Sequence, residues 1–360
     1  MDFFTKDAMN AYPQGKIAEE SNIGQAMIRV IGCGGAGNNM VSWLYKKGVK
    51  GAEIIAVNTD KQHLDISESD KKFLIGKNVT RGLGCGGFPE KGAKAAEESL
   101  NEIRDVLKQS DIVFVCAGMG GGTGTGSAAV VAKVAKETGS IVIGTVTMPF
   151  KIERARIDKA EFGLQQLRHY SDTVVVIDNN RLVKIAGNLP VTQAFAIANE
   201  LVATMIRGIV ETISVPSLVN LDYADVKAIM TQGGVSTIGI GSSDTKNRVE
   251  EAVKGALSNP LLDVSYEGAT GALIHIEGGP DMTLDEVNKI GEQVTASLDD
   301  DANVIWGARV SDEMKGKLTV MAIITGVKSP WLLGKNDGRQ KAKQVVAQSR
   351  YNDDLQIEIL

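Results

Sequence analysis

Nine consecutive residues, positions 118–126, include six glycines and two threonines, a composition that could bind a phosphate. An apolar stretch over 111–117 precedes them and predicts a buried strand, while the pattern over 127–138 predicts a helix that ends at Gly139. Glycines between a strand and a helix leave bare backbone N–H groups at the positive end of the helix dipole, which suits an anion. A flexible hinge is the alternative, but a hinge does not need this density of glycine beside a buried strand.

The glycine run at 118–126 is not a Walker A loop, because no Lys-Ser or Lys-Thr pair follows it. Backbone amides, the threonine hydroxyls and a Mg²⁺ ion must therefore offset the phosphate charge. The three histidines, His63, His169 and His275, are far apart in sequence and indicate no cluster of metal-ligating side chains. We therefore expect a polyphosphate ligand and no protein-built metal centre.

A second glycine cluster at 32–39 lies between a predicted strand and a predicted helix that starts near Met40. It fits the spacing G-x-G-x-x-G. Asp60 follows at the end of the next predicted strand, where a dinucleotide-binding fold has its ribose-binding acid. These residues alone suit an NAD-dependent oxidoreductase with a Rossmann-type domain. That interpretation leaves 118–126 unexplained, because a dinucleotide fold needs one pyrophosphate loop.

Two further segments could complete a phosphate site. A third glycine cluster at 82–87 precedes the strand that leads into 118–126, and it either closes over the phosphates or forms a plain surface turn. Glu153, Arg154 and Arg156 follow the end of another predicted strand, which is where open α/β sheets bind ligands. A solvated charged turn is the alternative for these three residues.

A long helix predicted over 191–213 could stand between two domains. Asn199 and Glu200 lie in its body, where they either mark its solvated face or offer side-chain oxygens to a guanine base. Asp222 and Asp225 come at the start of the following helix. An N-cap and a first-turn acid would explain this pair structurally.

The order of the predicted elements indicates an α/β fold. We expect a nucleotide domain built on a doubly wound, mostly parallel sheet, then a long central helix and a second, smaller α+β domain. The smaller domain is predicted to contain strands at 235–241, 271–277, 303–310 and 317–326 and helices at 246–258 and 283–297. The chain divides into an N-terminal extension (1–26), a nucleotide domain (27–190), a central helix (191–215), the smaller domain (216–328) and a flexible tail (329–360).

Composition excludes several classes of protein. The net charge of -5 and a pI of about 5.5 argue against a nucleic-acid binder. No apolar run reaches the length of a membrane span, and the first residues lack the order of a signal peptide, so we expect no membrane insertion and a cytoplasmic protein. Cys33, Cys85 and Cys116 form no C-x-x-C pair and are expected to be reduced.

These features occur together in one family. Residues from about 27 to 328, and above all the run GGGTGTG, resemble the FtsZ-type cell-division GTPases of the tubulin superfamily, more the archaeal than the bacterial type. The resemblance implies that GTP or GDP is the ligand. It implies nucleotide contacts from Gly35, Ala36, Gly37, Asn38, Asn39, Gly122, Thr123, Gly124, Glu153, Arg156, Asn179 and Glu200.

The resemblance also implies self-assembly into a head-to-tail filament. Asn220, Asp222 and Asp225 would then reach the nucleotide of the neighbouring subunit, and polymerisation would activate GTP hydrolysis. It further implies action at the mid-cell division site and a tail that binds a membrane anchor or other division proteins. A scaffold that binds nucleotide without turning it over is the third interpretation, and the acids at 222 and 225 disfavour it.

Two positions depart from the family pattern. The segment after Glu153 is one residue shorter than in bacterial members, so that Arg154 could replace Arg156. Glu200 stands where the family usually has aspartate, and its longer side chain could shift the bound base.

Overall fold

The computed structural model describes residues 26–214, 217–219, 221–231, 235–258 and 264–328. The predicted N-terminal extension, except its last residue, and the predicted tail lie outside the described residues. So does Asn220, one of the three predicted catalytic residues.

Six parallel strands form the first half of the sheet, in the order β3-β2-β1-β4-β5-β6. Their central members are runs of apolar residues buried on both faces, as expected of a parallel sheet covered by helices on each side. From β1 the strand order runs through β2 to β3 on one side, and from β4 it runs through β5 to β6 on the other side. In such a sheet the ligand crevice lies at the carboxyl ends of the two strands where the order reverses, here β1 and β4. The strands are β1 (Ile28–Cys33), β2 (Ala52–Asn58), β3 (Lys71–Leu74), β4 (Ile112–Gly118), β5 (Ile141–Met148) and β6 (Thr173–Asp178).

Helices cover both faces of this half-sheet, which confirms the doubly wound prediction. One apolar cluster packs α1 and α8 against one face of the sheet. A second apolar cluster packs the four helices α4, α5, α6 and α7 against the other face. The helices are α1 (Gly34–Lys46), α2 (Lys61–Ile66), α3 (Lys77–Thr80), α4 (Pro89–Glu98), α5 (Leu100–Leu107), α6 (Thr123–Glu137), α7 (Ala155–Tyr170) and α8 (Asn179–Ala186).

Several predicted boundaries were wrong. α1 begins at Gly34 rather than near Met40, and α6 begins at Thr123 rather than at Ser127, so both glycine clusters supply the first turn of a helix. Close packing explains glycine there: a Cβ on Gly126 would lie 2.0 Å from the carbonyl oxygen of Pro89. The segment 89–107, after the third glycine cluster, forms two helices that meet at Ser99.

The long central helix is α9 (Val191–Ser214), close to its predicted bounds. Its buried side chains recur every three or four residues and pack in the same apolar cluster as those of α1. These side chains include Ala198, Val202, Met205, Ile206, Ile209 and Val210.

The second half of the chain extends the same sheet. A single parallel pairing, Val174 with Val235, joins β6 to β7, and the order continues β7-β10-β8-β9. Here β10 is antiparallel to both neighbours, while β8 and β9 are parallel. The elements are α10 (Tyr223–Met230), β7 (Val235–Ser243), α11 (Arg248–Leu257), β8 (Ala269–Gly278), α12 (Leu284–Thr295), β9 (Leu298–Val310) and β10 (Leu318–Val327). The mixed sheet matches the predicted α+β composition of this part.

In the described part of the chain, no single helix has the length and apolar character needed to cross a membrane. The pair α8 and α9 meets those two criteria only when taken together, and the two helices are bent by 119° at their junction.

Candidate nucleotide site

A cavity of about 360 Å³ opens at the carboxyl ends of β1, β4 and β5. Two helices, α1 and α6, start at its floor, and neither has a side chain that caps its first turn. Their free N–H groups and the positive ends of two helix dipoles therefore face the same space, which is the arrangement that binds an anion. The lining includes Gly35, Ala36, Gly121, Gly122, Thr123, Gly124, Glu153, Arg156, Asn179 and Phe195.

Glycine at position 34 allows the two helix starts to touch. Its φ is +72°, and a Cβ there would lie 2.6 Å from the backbone nitrogen of Gly124. Any other residue at position 34 would be strained and would push α1 and α6 apart. The two sets of amides can therefore converge only with glycine at this point.

Hydroxyl groups connect the loops around the cavity. The Thr59 and Thr123 Oγ1 atoms are 2.6 Å apart, and Thr59 Oγ1 lies 3.3 Å from the Cys85 Sγ atom. Within the main glycine run, Thr125 Oγ1 accepts a hydrogen bond of 2.9 Å from the Gly120 N–H. These contacts join the end of β2, the third glycine cluster and the start of α6 into one frame.

A second cavity, of about 260 Å³, adjoins the first and shares Gly35, Gly122 and Thr123 with it. The third glycine cluster forms its opposite wall through residues 84–87, together with Asp60 and His63. The structure therefore places this cluster opposite the start of the helix that follows the main glycine run. Asp60 caps α2 by accepting hydrogen bonds from the backbone N–H groups of Gln62 and His63.

Charged and aromatic groups form the other end of the first cavity. Arg156 Nη1 lies 2.6 Å from Glu153 Oε2, and Glu153 Oε1 accepts a 2.9 Å hydrogen bond from the Phe150 N–H. Phe150 packs edge-on against Phe195 of α9, with ring centroids 6.0 Å apart. Of the two candidate arginines, Arg156 lines the cavity and Arg154 does not.

Three of the nucleotide contacts predicted in the first glycine cluster do not line the cavity: Gly37, Asn38 and Asn39. Asn38 is completely buried. In the amide orientation that satisfies its neighbours, its nitrogen donates to the carbonyl oxygens of Gly32, Gly34 and Val57, and its oxygen accepts from Asn58 Nδ2 at 3.0 Å. Asn38 thus fixes the ends of β1 and β2 instead of facing the ligand space.

Glu200 also lies away from the predicted nucleotide contacts. Its Oε2 accepts a 2.6 Å hydrogen bond from Trp43 Nε1, and its Oε1 lies 2.9 Å from Lys47 Nζ. Both partners belong to α1 or its end, and Glu200 lines a separate apolar cleft against β7 and α11. Asn199, four residues after Phe195, shares the face of α9 that bears this cavity-lining ring.

Asp222 and Asp225 form a capping box at the start of α10, which is the structural role that the sequence also allowed. They follow α9, whereas Phe195 of the nucleotide cavity lies near its beginning. The 24 residues of α9 span about 36 Å at 1.5 Å per residue. Tyr223, next to Asp222, donates a hydrogen bond to the Asp111 carbonyl oxygen just before β4, whereas the cavity lies at the carboxyl end of that strand. Within one subunit, the acids and the cavity therefore lie at opposite ends.

The cavity contains no reactive thiol. Burial raises the pKa of Cys33, which lines it, to about 12, against a smaller opposing hydrogen bond with Ser127. All three cysteines are buried and unpaired. Among the described residues, no group of three or more His, Cys, Asp or Glu side chains could hold a metal ion. The polar groups that line the cavity include backbone amides, the Thr123 hydroxyl and the Glu153–Arg156 pair.

Both halves of this chain match models of known protein families. Residues 27–187 match the family model "Tubulin/FtsZ family, GTPase domain", and residues 234–328 match "FtsZ family, C-terminal domain". The chain is 56% identical to cell division protein FtsZ 2 of Methanocaldococcus jannaschii, over 95% of this chain and 90% of that protein. It is 53% identical to cell division protein FtsZ 2 of Halobacterium salinarum, over 89% of this chain and 81% of that protein.

Solved structures agree with these matches. An empty FtsZ dimer from M. jannaschii superposes with a TM-score of 0.77 at 45% identity, covering 91% of this chain and 93% of that one. The CetZ2 protofilament of Haloferax volcanii, at 22% identity and a TM-score of 0.71, shows the same fold. Nothing in these likenesses supports a nicotinamide oxidoreductase or a non-hydrolysing scaffold. The chain belongs to the FtsZ family, the cell-division GTPases of the tubulin superfamily.

Proposed function

We propose that two successive subunits of a head-to-tail filament share each GTPase site. One subunit binds GTP in the glycine-lined cavity, and the next supplies Asp222 and Asp225. The observation that carries this proposal is the placement of the cavity and the acids at opposite ends of the 24-residue helix α9. An interface between unlike ends does not close on itself, and it therefore generates an open filament.

Exposed apolar side chains near the two cavities and near Asp222 support contacts between subunits. Leu83, Phe88 and Ile152 belong to or adjoin the segments around the two cavities, and they are 77%, 58% and 86% exposed. Leu218, which is 53% exposed, lies four residues before Asp222. Single exposed apolar residues are ordinary, but a cluster around a polar cavity suits a surface that a second subunit covers.

In this proposal the cavity holds the nucleotide along its length. Backbone N–H groups of Gly35, Ala36 and 121–124 bind the phosphates, helped by the Thr123 hydroxyl. The Glu153–Arg156 pair and Asn179 contact the ribose and base end. Asn199, rather than Glu200, offers its amide oxygen to the N–H donors of guanine, because it shares the helix face of Phe195.

A Mg²⁺ ion fits this site as a partner of the phosphates. Magnesium prefers oxygen ligands and is commonly held by substrate phosphates with one or two protein groups. The hydroxyls of Thr59 and Thr123 and the carboxylate of Asp60 lie beside the phosphate region. The ion would offset the negative charge that develops on the phosphates during hydrolysis.

Hydrolysis then requires a water aligned with the terminal phosphate. We assign its orientation and polarisation to Asp222 and Asp225 of the next subunit. Asn220 precedes them in the chain but lies outside the described residues. Positioning and electrostatics supply most of the acceleration in phosphoryl transfer, and this agrees with a site that is complete only at a subunit junction.

The wider cellular assignment follows from the family. We propose that the chain works in the cytoplasm at the division site and that residues 329–360 bind a membrane anchor or another division protein.

The proposed domains are a nucleotide domain at 27–190, a helix at 191–215 and a smaller domain at 216–328. The family matches support these boundaries, because the first match ends at 187 and the second begins at 234.

Mixing two inactive variants tests the shared site. Asp225→Asn keeps the cavity, and Gly121→Val keeps the acids but fills the phosphate space. Each variant alone should hydrolyse GTP poorly, while the mixture should regain activity at junctions where an Asp225→Asn subunit holds GTP and a Gly121→Val subunit supplies the acids. Labelled Gly121→Val protein must first be found in pelleted filaments, so that incorporation is established.

The matched control mixes Asp225→Asn with the double variant Gly121→Val/Asp225→Asn, which should restore nothing. If the first mixture, with incorporation established, is no more active than the sum of its parts, the shared site is refuted.

A further inference from the structure

The second cavity lies where the end of a triphosphate would reach. The first cavity has its base end at Arg156, Asn179 and Phe195 and its phosphate floor at Gly122 and Thr123. The second cavity begins at that floor and continues away from the base end. A diphosphate would therefore fill less of this second space than a triphosphate.

His63 lines this second cavity from helix α2 and is half-buried. Its Nε2 is the ring atom nearest to Gly35, 3.6 Å from where a Cβ on that glycine would stand. Gly35 belongs to both cavities and to the first turn of α1. The Nε2 edge of the imidazole thus faces Gly35, where the two cavities meet.

Hydrogen bonds decide which ring nitrogen carries the proton. Asn58 Oδ1 accepts from the backbone N–H groups of Thr59 and Asp60, at 2.9 and 3.1 Å, which fixes the orientation of its amide. The Asn58 Nδ2 group then faces both Asn38 Oδ1, at 3.0 Å, and His63 Nδ1, at 3.5 Å. Because Nδ1 faces a donor, it accepts, and the proton of the neutral ring lies on Nε2.

The charged neighbours of His63 have hydrogen-bond or ion-pair partners within the protein. The carboxylate of Asp60 accepts from the N–H groups that start α2, and Lys61 pairs with Asp65 on the outer side of the helix. Lys72 of β3 donates to the backbone oxygen of Asp65. Among the described residues that line the second cavity, His63 is the one with an ionisable nitrogen.

We propose that the His63 Nε2–H group donates a hydrogen bond to the terminal phosphate of bound GTP and so favours GTP over GDP. The inference rests on the proposed nucleotide site. It also gives buried Asn38 an indirect part, since Asn38 holds the Asn58 amide that orients the imidazole.

Binding of GDP and of a non-hydrolysable GTP analogue to wild type, His63→Ala and His63→Gln tests this inference. The protein is kept at concentrations too low to assemble. In His63→Ala the affinity for the analogue should fall about tenfold, the scale of one hydrogen bond to a charged group, while the affinity for GDP changes less than about twofold. In His63→Gln, whose amide N–H can reach the same space, part of the preference should return.

Gln62→Ala, an exposed neighbour in the same helix, is the control and should leave both affinities unchanged. An unaltered ratio of the two affinities in His63→Ala would overturn the inference about His63 alone. An equal loss for both nucleotides, unrelieved in His63→Gln, would also overturn it by indicating a structural role. If the wild type bound neither nucleotide, the proposed nucleotide site itself would fail.

Discussion

Asp222 and Asp225 each accept a hydrogen bond from the other residue's backbone N–H at the start of α10. Asp222 Oδ1 accepts the Asp225 N–H at 2.9 Å, and Asp225 Oδ2 accepts the Asp222 N–H at 3.0 Å. The two acids that we assign to hydrolysis therefore also stabilise a helix. A substitution to alanine would change both properties together, so that catalysis and folding must be separated by the choice of variant.

Asp225→Asn is the variant that separates them. Asparagine keeps an oxygen that can accept the Asp222 N–H but loses the charge, so GTP binding and assembly should persist while turnover falls about 100-fold. Turnover is measured as phosphate release, and assembly as light scattering, in the same sample. Asp225→Ala should show a similar loss of turnover and should also destabilise the protein by about 1 kcal/mol, because the Asp222 N–H loses its acceptor. Near-normal hydrolysis by Asp225→Asn filaments would remove this residue from the mechanism.

Gly121→Val should abolish nucleotide binding while the fold survives. A Cβ on Gly121 meets no protein atom within 4 Å, and its φ is not positive, so the backbone tolerates valine and the side chain enters the phosphate space. The positive φ in this run belongs to Gly120. Gly291→Val is a matched control, because that glycine in α12 also faces open space. Titration with a fluorescent GTP analogue should detect binding to the control variant and none to Gly121→Val.

Asn199 and Glu200 should differ in their effect on base selectivity. Asn199→Ala should narrow the difference in affinity between GTP and ATP, because guanine loses an oxygen acceptor. Glu200→Gln should leave both affinities unchanged, since Glu200 contacts Trp43 and Lys47 instead. Competition binding with the two nucleotides measures both variants. The opposite pattern would restore Glu200 as the base contact.

Glu200 should instead contribute a pH-dependent part of the unfolding free energy. Burial raises its pKa, but hydrogen bonds from Trp43 and Lys47 and the charges of Lys47 and Arg207 outweigh this and hold the pKa below its ordinary value of 4.5. A lowered pKa in the folded state means that ionised Glu200 stabilises the protein above pH 4.5, and this contribution disappears as the pH falls through the folded value.

The measurement is the difference in unfolding free energy between wild type and Glu200→Gln. Because the pair is partly exposed, the difference at neutral pH should be below about 1 kcal/mol. It should shrink toward zero in acid. A difference that grows on acidification would contradict the assigned ion pair.

Local patterns in the sequence predicted much of the fold. Apolar runs located nine of the ten strands, and the glycine run located the loop that lines the cavity. The missed strand, β3, reads KKFL and lies at the sheet edge, where exposed lysines hide the pattern of a buried strand. Glycine-rich helix starts were predicted as loops, because glycine disfavours helix except where close packing requires it.

The site was less predictable, because its parts meet only in three dimensions. Thr59 and Thr123 share a hydrogen bond although they are 64 positions apart in sequence, and no local sequence pattern predicts this contact. Asn199 and Glu200 are adjacent in sequence, yet one residue of helix turns a side chain by about 100°, and this decides which of them shares a face with Phe195. His63 showed no cluster in sequence, and its position emerged from the packing of α2 beside Gly35.

The dependence of specific activity on protein concentration tests the shared site most directly. Phosphate release per wild-type molecule should be near zero below a critical concentration and should rise above it, in step with light scattering. GTP binding should persist on both sides of that concentration, because the cavity belongs to one subunit. Turnover per molecule that stays constant down to dilute monomer would show that one subunit contains the whole site, and would contradict this account.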